Sequence, residues 1–540
     1  MTSTAQTFAP SGTPLFTAAQ VREIESTHPQ IDLMRRAGKA AAKFLFARAT
    51  PGARMVLFVG PGNNGGDALA CAAELAQAGC SPQVVLLGDP DKFAEDAARA
   101  WRRVVELQDL LNASGSAPSP LAGEGWGEGE VGANNYLAPT NQPPSPPQPF
   151  SLGRSGVKIT VAREIPATIA ADWVIDGLFG IGLKRPLSGV YSDAVKAILT
   201  ARATGAQVLA LDVPSGVDAD TGAVLSDAVI TADFTLTFIA NKPGLVTGPA
   251  LDYVGELHCA TLDLQWPAIS TARMLDATYL HAARLTPQAN AHKGSHGTCV
   301  ILGGADGMLG AVLLASRAAM RTGAGKVKIG WLAESHPQVD PLMPEVMMGG
   351  ASRLVNADCH GLVIGCGLGV SGPAVRLLTS ALNRDVPMVI DADALNLIAQ
   401  SAELATLVQR RNAPTIITPH PAEAARLLGC STADVQRDRL KAAHDLAKGY
   451  RCIAVVKGAG TVVCDGETST VNRTGNPLLA TAGTGDVLAG MIGALLAQGV
   501  AAATAARLGV CMHGAAADSM RAQGIKRAVA GDVIDKLRIL

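Results

Sequence analysis

Short apolar runs alternate with longer segments of helical periodicity along the first half of the chain. The run at 55–59 is followed by a glycine-rich turn, an alanine-rich helical segment at 69–79 and a second apolar run at 84–87. A strand, a helix and a further strand in this order form a βαβ unit, whose strands are parallel. Later runs that end in Asp, Gly or Ser lie at 158–162, 172–177, 207–212 and 233–240. The pattern predicts an α/β fold built on a parallel sheet.

Helix signals precede the first strand. Thr17 and Gln20 have the spacing of a capping box, in which each side chain bonds the backbone N–H of the other residue. An amphipathic segment extends from there to about Ala47. Pro29 is expected to divide it into two helices because proline lacks a backbone N–H.

A second series of apolar runs follows a change of pattern around Trp266 to Tyr279. Its predicted strands are 298–302, 327–331, 361–365, 388–391, 415–418, 453–456 and 461–464, with helices between most of them. A chain of 540 residues is too long for one hydrophobic core, and no internal repeat relates the two halves. We therefore expect two α/β domains, at 1–268 and 275–540.

The segment 112–156 departs from this pattern. It holds eight prolines and eight glycines in 45 residues. Such a segment cannot bury enough apolar surface to offset the entropy of ordering the chain. It is predicted to be a disordered insertion in the first domain. A polyproline motif that binds a partner is the alternative.

Composition limits the classes of protein that fit. Hydrophobic residues make up 48% of the chain, charged residues 17%, and the net charge is −1, so a broad basic surface for nucleic acid is not expected. The ten cysteines include no CxxC pair, which argues against a structural zinc site and a disulfide framework. The N-terminus lacks the pattern of a secretory signal, and 491–512 is predicted to form buried helices rather than a membrane span. We expect a cytoplasmic protein that acts on small molecules, with neither nucleic acid nor membrane as a partner.

Three loops of the first domain are expected at one sheet edge, because parallel strands end on the same side and ligands bind there. They span 60–68, 176–186 and 212–218. In the first loop, the glycines of Asn63–Asp67 would let phosphates approach the backbone where a helix begins. A tight turn that needs positive φ is the alternative.

Oxygen-bearing side chains follow the strands of this domain. Asn64, Asp176 and Ser215 could share a cation through oxygen ligands. Asp212 follows an apolar run and could act as a partly desolvated acid or base. The alternative for each acid is a helix or turn cap.

The second domain contains a glycine-rich segment with a single acid at 476–490. Gly485 and Asp486 are predicted in the first turn of a helix, where a phosphate would meet free N–H groups and a positive dipole. Gly483, like Gly485, would let the backbone approach a ligand closely. Asp486 could serve as a general base; the alternative is an acid that only caps the helix.

Other loops of the second domain carry complementary chemistry. Lys457–Thr461 lies between two short strands and could close over the phosphates of a nucleotide. His420 ends a strand between two prolines, which favours a ligand contact over a purely structural role. Asp391–Asn396 offers two acids and an amide for a metal or hydroxyl groups. Further βα loops are predicted at Gly303–Gly304, Gly310–Ala311 and Gly365–Gly369.

Taken together, these motifs resemble known families. KGAGT (457–461) and TAGTGDVLAG (481–490), preceded by DADALN (391–396) and TPHPAE (418–423), closely resemble the ADP/ATP-dependent NAD(P)H-hydrate dehydratases, which have a ribokinase-like fold. GPGNNGGDA (60–68), DGLFGIGLKRPLSG (176–189) and DVPSGVD (212–218) resemble the NAD(P)H-hydrate epimerases, which have a Rossmann-like fold. The two in this order resemble the bifunctional NAD(P)H-hydrate repair enzymes over nearly the whole chain except 112–156.

The resemblance implies a role for each matched position of the epimerase. Asp212 would be catalytic, and Asn64, Asp176 and Ser215 would bind potassium. The hydrated cofactor would contact Asp212 together with Asn63, Asn64, Gly65, Gly66, Asp67, Gly180, Ile181, Gly182, Leu183, Lys184, Arg185 and Pro186.

For the dehydratase, the resemblance implies that Asp486 is catalytic and that Ala311, Gly369, His420 and Asp486 bind the hydrate. ADP or ATP, with Mg²⁺, would bind Lys457, Gly458, Ala459, Gly460, Thr461 and Gly485. A homo-oligomer is expected.

Three positions depart from the family pattern: Ala68 where Gly is usual, Cys366 where Pro is usual, and Ala482 where Gly is common. Two alternatives stay open from the sequence. One is a hydroxymethylpyrimidine or thiazole kinase fused to a binding domain, which shares the glycine–Asp ending. The other is a first domain that binds a cofactor or a protein without catalysis.

Overall fold

A computed structural model describes residues 12–114, 156–265, 270, 272–282 and 289–539. These residues fall into two compact units. The first lies within Pro14–Leu245 and Pro249–Ser270, and the second lies within Thr271–Leu540 together with Val246–Gly248 and the described part of Met1–Thr13. The two compact units do not test the predicted bounds of the two functional domains, 1–268 and 275–540, which therefore stay a prediction.

Up to residue 265 the helices and strands follow the predicted alternation. They are β1 (Thr13–Leu15), α1 (Ala18–Ser26), α2 (Leu33–Phe46), β2 (Met55–Val59), α3 (Asn63–Gln77), β3 (Gln83–Leu86), α4 (Glu95–Ser114), β4 (Thr160–Ala162), β5 (Trp173–Gly177), α5 (Val190–Ala203), β6 (Gln207–Leu211), β7 (Phe234–Phe238) and β8 (Glu256–Ala260). The Thr17 capping box at the start of α1 is confirmed, as is the division into two helices around Pro29.

Seven strands of the first unit form one sheet in the order β4-β3-β2-β5-β6-β7-β8. Every neighbouring pair is parallel, which confirms the predicted parallel sheet. Alternate side chains of a strand point to opposite faces. Leu57 therefore joins a core with α2, α3 and α4, whereas Val56 and Phe58 join a separate core with α5.

Helix α3 begins six residues earlier than the sequence predicted. Its first residue is Asn63 rather than Leu69, so Gly65 and Gly66 lie within the helix. Neither glycine has positive φ, so the alternative of a turn that needs it is wrong. Close packing explains both glycines instead, because a Cβ on Gly65 would lie 2.1 Å from the carbonyl oxygen of Gly60 and one on Gly66 would lie 2.4 Å from Sδ of Met34.

The predicted insertion at 112–156 is only partly within the described residues. Helix α4 continues to Ser114, so the first three residues of that segment are helical and the predicted boundary was too early. Residues 115–155 lie outside the described residues.

The second unit is also an alternation of helices and strands. They are β9 (Ala272–Leu275), α6 (Ala277–Ala282), β10 (Thr298–Gly303), α7 (Leu309–Arg321), β11 (Lys326–Trp331), β12 (Met347–Gly350), α8 (Ala351–Leu354), β13 (Gly361–Ile364), α9 (Gly372–Leu382), β14 (Met388–Ile390), α10 (Ala392–Gln400), α11 (Ala402–Gln409), β15 (Thr415–Ile417), α12 (Pro421–Leu428), α13 (Thr432–Arg437), α14 (Arg439–Tyr450), β16 (Ile453–Val456), β17 (Val462–Cys464), β18 (Ser469–Asn472), α15 (Thr484–Ala497), α16 (Ala502–Ala522) and α17 (Ala530–Lys536). All seven predicted strands of this unit are present. Strands β9, β12 and β18 were missed because their sequences, ARML, MMGG and STVN, contain no run of apolar β-branched residues.

The strands of this unit run in the order β9-β18-β17-β16-β15-β14-β13-β10-β11-β12. The seven neighbouring strands β16-β15-β14-β13-β10-β11-β12 are parallel to one another, whereas β17 is antiparallel to both of its neighbours, β16 and β18. Helices α7, α15 and α16 share a core with one face of the sheet. The apolar stretch 491–512 lies in α15 and α16, whose residues are largely buried, as predicted. Within the described ranges, no helix has the length and apolarity to cross a membrane.

Candidate active sites

The crevice of the first unit lies where the sheet order changes direction. Strands β2 and β5 are neighbours in the middle of the sheet. The chain continues from β2 to β3 on one side of this pair and from β5 to β6 on the other side, so a crevice is expected between the loops that follow β2 and β5. Gly180 brings these loops together with the end of β6. A Cβ built on Gly180 would lie 2.8 Å from Oδ2 of Asp212 and 3.4 Å from Cγ of Asn64. Three of the predicted site residues therefore meet at this edge.

Asp212 is held in an unusual backbone conformation directly after β6. Its φ is 63°, a left-handed value that is uncommon for residues other than glycine and that often marks functional sites. Its Oδ1 accepts a hydrogen bond of 2.6 Å from Nζ of Lys242, and its Oδ2 accepts one of 3.3 Å from the Ile181 N–H. The carboxylate is therefore fixed from two sides and faces the Gly180 loop.

Lys242 is the residue of this site that the sequence analysis missed. Its side chain is fully buried, and Nζ also donates to Oγ1 of Thr237 at 2.7 Å and to the carbonyl oxygen of Phe238 at 2.8 Å. All three acceptors are thus satisfied by one ammonium group. A lysine that follows a buried apolar strand by a few residues was the signal that could have identified it.

The negative charge of Asp212 affects the pKa of two further carboxyl groups, Glu25 and Asp67. Burial, followed by the negative charge of Asp212, raises the pKa of Glu25 on α1 and raises the pKa of Asp67 on α3 well above its ordinary value. Lys242 lowers the pKa of both groups, but its effect is smaller. The site therefore contains protonatable groups on two elements beside the Asp212–Lys242 pair.

Asp176 and Ser215 form a buried pair at the ends of β5 and β6. Oδ1 of Asp176 accepts from Oγ of Ser215 at 2.7 Å, and Oδ2 accepts from the Ser215 N–H at 2.8 Å. Burial raises the pKa of Asp176 to about 6, although these hydrogen bonds oppose the shift. No Lys, Arg or His pairs with this carboxylate among the described residues.

Asn64 adds an unsatisfied amide to the same edge. It is 6% exposed, and neither its Oδ1 nor its Nδ2 has a hydrogen-bond partner in the described part of the chain. Buried polar groups are rarely left unpaired. A buried carboxylate without a cation and a buried amide without a partner together fit a bound cation with oxygen ligands.

The rest of the predicted substrate loop is more open. Lys184 forms ion pairs with Asp218 at 3.0 Å and Asp220 at 2.9 Å, which fix the loop to the segment after β6. Leu183 is buried in the core with α5. The remaining residues, Asn63, Gly182, Arg185 and Pro186, are exposed, so the structure places them at the rim of the crevice.

In the second unit, a buried ion pair lies across three strand ends. Asp391 follows β14 and is 1% exposed. Its Oδ1 accepts from Nζ of Lys457 at 2.6 Å and from Oγ1 of Thr418 at 2.7 Å. Burial opposes the charge of Lys457, but attraction to Asp391 and Glu423 outweighs it and raises the pKa of the ammonium group.

The N-terminus of α15 meets this pair. Gly483 precedes the helix with φ 89°, and Gly485 and Asp486 occupy its first turn, as predicted. A Cβ on Gly485 would lie 3.3 Å from Nζ of Lys457 and 3.9 Å from Oδ2 of Asp391. Burial, followed by repulsion from Asp391, raises the pKa of Asp486 to about 6. The acid, the lysine and the free N–H groups of the helix are therefore in one place.

His420 has a structural contact as well as a position at the site. Its Nδ1 accepts from the Ala422 N–H at 3.1 Å and so caps α12, while Oε2 of Glu423 accepts from the His420 N–H at 2.8 Å. Burial and the charge of Lys457 lower the pKa of His420, so the imidazole is neutral near pH 7. Half of its side chain is exposed, which leaves it available to a ligand.

Ala311 and Gly369 lie on the segments that follow β10 and β13. Ala311 lies in the first turn of α7 rather than in a βα loop, which corrects the prediction for Gly310–Ala311. A Cβ on Gly367 would lie 3.1 Å from Cβ of Ala311. Gly369 has φ 70°, and its N–H donates to Oδ2 of Asp393 at 2.8 Å.

The Lys457–Thr461 segment is the predicted hairpin between β16 and β17. Oγ1 of Thr461 donates to the Gly458 carbonyl oxygen at 2.9 Å and accepts from its N–H at 3.3 Å. Below the hairpin, the buried guanidinium of Arg439 donates to the carbonyl oxygens of Val456 and Lys457 at 3.0 and 3.1 Å. The sequence did not single out Arg439, which lies outside every recognised motif.

The potential metal ligands of the second unit include a sulfur atom. Ligand atoms of Cys366, Asp391 and Asp486 lie within 4.8 Å of one another. Asp391 is already neutralised by Lys457, and a thiol suits softer metals than Mg²⁺, which prefers oxygen. Asp393, in the same motif as Asp391, has no basic side chain within ion-pair distance in the described ranges.

Two α/β units, each with an acid and a buried lysine at the carboxyl ends of its strands, define an enzyme with two active sites. Residues 30–244 match the family model described as "YjeF-related protein N-terminus", and residues 299–538 match the one described as "NAD(P)H-hydrate dehydratase". The chain belongs to the family of bifunctional NAD(P)H-hydrate repair enzymes.

Relatives extend over almost the whole chain. The bifunctional NAD(P)H-hydrate repair enzyme Nnr of Coxiella burnetii is 36% identical over 98% of this chain and 99% of its own length. The enzyme of the same name from Escherichia coli K12 is 36% identical over 94% of this chain and 88% of its own length. The crystal structure of an ADP/ATP-dependent NAD(P)H-hydrate dehydratase from Bacillus subtilis, co-crystallised with ATP and Mg²⁺, is 31% identical with a TM-score of 0.43 and covers 48% of this chain and 95% of that one.

The family decides between the open alternatives. The first unit is the NAD(P)H-hydrate epimerase domain and the second is the NAD(P)H-hydrate dehydratase domain of such an enzyme. A fused pyrimidine or thiazole kinase and a first domain without catalysis are therefore both excluded as descriptions of the chain.

Proposed function

We propose that Asp486 is the base of the dehydratase. Hydration at C6 of the nicotinamide leaves a hydroxyl on a carbon beside nitrogen, and hydroxide leaves poorly near neutral pH. Transfer of a phosphoryl group from ADP or ATP to this oxygen makes it a good leaving group. Loss of phosphate, with loss of a proton from the ring, then restores the dihydropyridine.

Asp486 would take the hydroxyl proton as the oxygen attacks phosphorus. The observation that supports this role is its place in the first turn of α15, partly desolvated and with a pKa raised to about 6 by burial and by Asp391. A base with a pKa somewhat below the working pH is mostly deprotonated and still accepts a proton. Lys457 and the free N–H groups of α15 would stabilise the phosphoryl charge.

The nucleotide is proposed to bind Lys457, Gly458, Ala459, Gly460, Thr461 and Gly485, and the hydrate Ala311, Gly369, His420 and Asp486. Mg²⁺ usually binds through the phosphates it accompanies and one or two carboxylates, and Asp393 is the side chain of this site best suited to it. When bound, Mg²⁺ would neutralise phosphate charge.

In the epimerase we propose that Asp212 moves the proton as the C6 centre opens or ionises and re-forms. Its carboxylate is fixed by Lys242 and the Ile181 N–H. The hydrated cofactor would lie against Asn63–Asp67 and Gly180–Pro186, with its phosphates toward the start of α3. Both epimers then become usable by a dehydratase that accepts only the S form.

Potassium is proposed to bind Asn64, Asp176 and Ser215. The unpaired amide of Asn64 and the buried, unneutralised carboxylate of Asp176 support this assignment. K⁺ should raise the melting temperature of the wild type more than Li⁺ does, and Asp176→Asn should remove the difference. Equal effects of the two ions on the wild type would contradict the site.

The Asp486 assignment is tested by Asp486→Asn. Amide for carboxylate keeps the shape and removes the base, so the rate of recovery of NADH absorbance from the S hydrate and nucleotide should fall about 10³-fold. Interconversion of the epimers by the same protein should be unchanged. A loss of less than tenfold would show that Asp486 is not the base.

Two expectations about the whole protein also belong to this proposal. We expect a homo-oligomer, which light scattering coupled to size-exclusion chromatography would test, and a cytoplasmic location, which fractionation would test.

A further inference from the structure

The loop after β13 places a thiol inside the dehydratase site. Cys366 is fully buried, and its Sγ lies within 4.8 Å of carboxylate oxygens of Asp391 and Asp486. The thiol lies beside the Asp486 carboxylate, and the two groups affect each other's pKa. None of the roles proposed above uses this side chain.

The backbone around Cys366 leaves the thiol little freedom. Its flanking glycines, Gly365 and Gly367, have φ of 126° and 56°. The Cys366 carbonyl oxygen accepts from the Gly304 N–H at 3.1 Å, and the Gly367 carbonyl oxygen accepts from the Ala305 N–H at 2.7 Å. The loop is therefore bound to the turn after β10, and this fixes the direction of the side chain.

The chemistry of the pair determines which group donates. Burial, followed by the negative charges of Asp486 and Asp391, raises the pKa of the Cys366 thiol well above its ordinary value. The thiol therefore keeps its proton near neutral pH, so it is the member of this pair that can donate a hydrogen bond. Lys457 donates to Asp391 at 2.6 Å rather than to Asp486, which leaves the neighbouring thiol as a side chain that can donate to Asp486.

We propose that Cys366 is a positioning residue of the dehydratase, whose S–H holds the Asp486 carboxylate in one orientation and favours its charged form. This inference rests on the proposed role of Asp486 as the base. Proline, the residue that the family pattern has here, offers no side-chain donor. The hydrogen bond is therefore a feature of this chain rather than a requirement of the reaction.

The charged groups that face Asp486 come from several elements. Asp391 and Asp393, at the start of α10, raise its pKa, whereas Cys366 and Lys457 lower it. With burial, the sum is a pKa of about 6. The acidic limb of the dehydratase rate should therefore lie near pH 6, and removal of the S–H donor should move it upward.

The test compares Cys366→Ala, Cys366→Ser and Cys366→Pro with the wild type, using kcat/KM for the S hydrate between pH 5 and 9. The alanine and proline variants should shift the acidic limb up by about 0.5–1 pH unit. Their rate should fall about three- to tenfold below the limb and stay within about twofold at its plateau. Serine, which retains a donor, should leave the limb at or below its wild-type position.

A second readout does not depend on activity. The S–H stretching band removed by Cys366→Ala should lie at lower frequency than that of a thiol without an acceptor, and Asp486→Asn should move it. Cys299→Ala is the matched control, because Cys299 is equally buried, on β10, and has no carboxylate beside it. This control should leave both the limb and the band unchanged.

The outcomes separate the two proposals. If Asp486→Asn retains activity, the assigned base is wrong. If Asp486→Asn is inactive while Cys366→Ala and Cys366→Pro keep the wild-type limb, the base stands and the role of Cys366 is overturned. A uniform loss of rate at every pH would also overturn it, because that is the result of altered packing alone.

Discussion

At the scale of single residues, Lys242 and Asp212 form a buried ion pair in the first unit, with Nζ 2.6 Å from Oδ1. Both side chains are buried, and the ammonium lies near Asp67 and Glu25 as well, whose pKa values burial and Asp212 raise. Removal of one partner from a buried pair leaves an uncompensated charge, which typically costs about 3–5 kcal/mol. Lys242 is therefore expected to support both stability and catalysis.

Lys242→Met tests this expectation. Methionine has nearly the same length but no charge, so the buried Asp212 carboxylate would lose its charged partner and its fixed orientation. The free energy of unfolding should fall by about 3 kcal/mol or more, and epimer interconversion should fall about 10²-fold. Chemical denaturation and chromatographic separation of the R and S hydrates measure the two effects.

The control is Lys196→Met. Lys196 forms an exposed pair with Asp193 at 3.0 Å on α5, and such pairs contribute about 0–1 kcal/mol. It should leave both quantities nearly unchanged. A Lys242→Met protein that interconverts the epimers at the wild-type rate would remove Lys242 from the mechanism.

At the scale of elements, the start of α15 combines an anion site with close packing. Gly483 adopts the left-handed φ that begins the helix, and Gly485 leaves room for Nζ of Lys457. Alanine is favoured over glycine in a helix by about 1 kcal/mol. A glycine at this position therefore indicates that space for the lysine, and for the nucleotide proposed to bind here, outweighs helix propensity.

Gly485→Ala should separate these two effects. The added Cβ would lie 3.3 Å from Nζ of Lys457, so the lysine must shift and dehydratase kcat/KM should fall about 10–100-fold. The melting temperature should stay level or rise because alanine is the better helix former. Steady-state kinetics and calorimetry on one preparation measure both.

Gly449→Ala serves as the matched control. Gly449 lies in α14 with no atom within 4 Å of its would-be Cβ. It should gain stability in the same way and keep full activity. Equal dehydratase activity in the two variants would show that the space above Gly485 is not used by the substrates.

At the scale of the whole molecule, two separate hydrophobic cores support two activities. The first unit has its own clusters on both faces of a seven-stranded sheet, and the second has clusters around α15 and α16. Each unit is thus stable through its own packing. Inactivation of one site is not expected to unfold the other.

A mixture of two inactivated proteins tests this independence. Asp212→Asn should consume the S hydrate but not accelerate the R form, and Asp486→Asn should interconvert the epimers without dehydrating either. Equimolar amounts of both should convert a mixture of R and S hydrates fully to NADH, because the epimer can diffuse between molecules. Failure of the mixture, with each single activity intact, would show that the hydrate must pass within one chain.

Strands and residues within motifs could be predicted from the sequence, whereas isolated basic residues could not. Strands such as β2 and β10 are continuous apolar runs, so their existence and parallel pairing followed from pattern. Asp486 and Lys457 were found because glycine-rich motifs surround them. Lys242 and Arg439 were not, because neither lies in a glycine-rich motif, and the position of Lys242 shortly after an apolar strand was its one local signal.

The amino-acid sequence by itself determined the two α/β units, the family and the motifs that supply the reactive groups, because apolar periodicity and glycine spacing act over short stretches of chain. Only the tertiary structure decided that α3 begins at Asn63, that Lys242 neutralises Asp212, and that Cys366 lies beside Asp486. The last two pairs are about 30 and 120 positions apart in sequence, and they meet only because sheet order brings particular strand ends together.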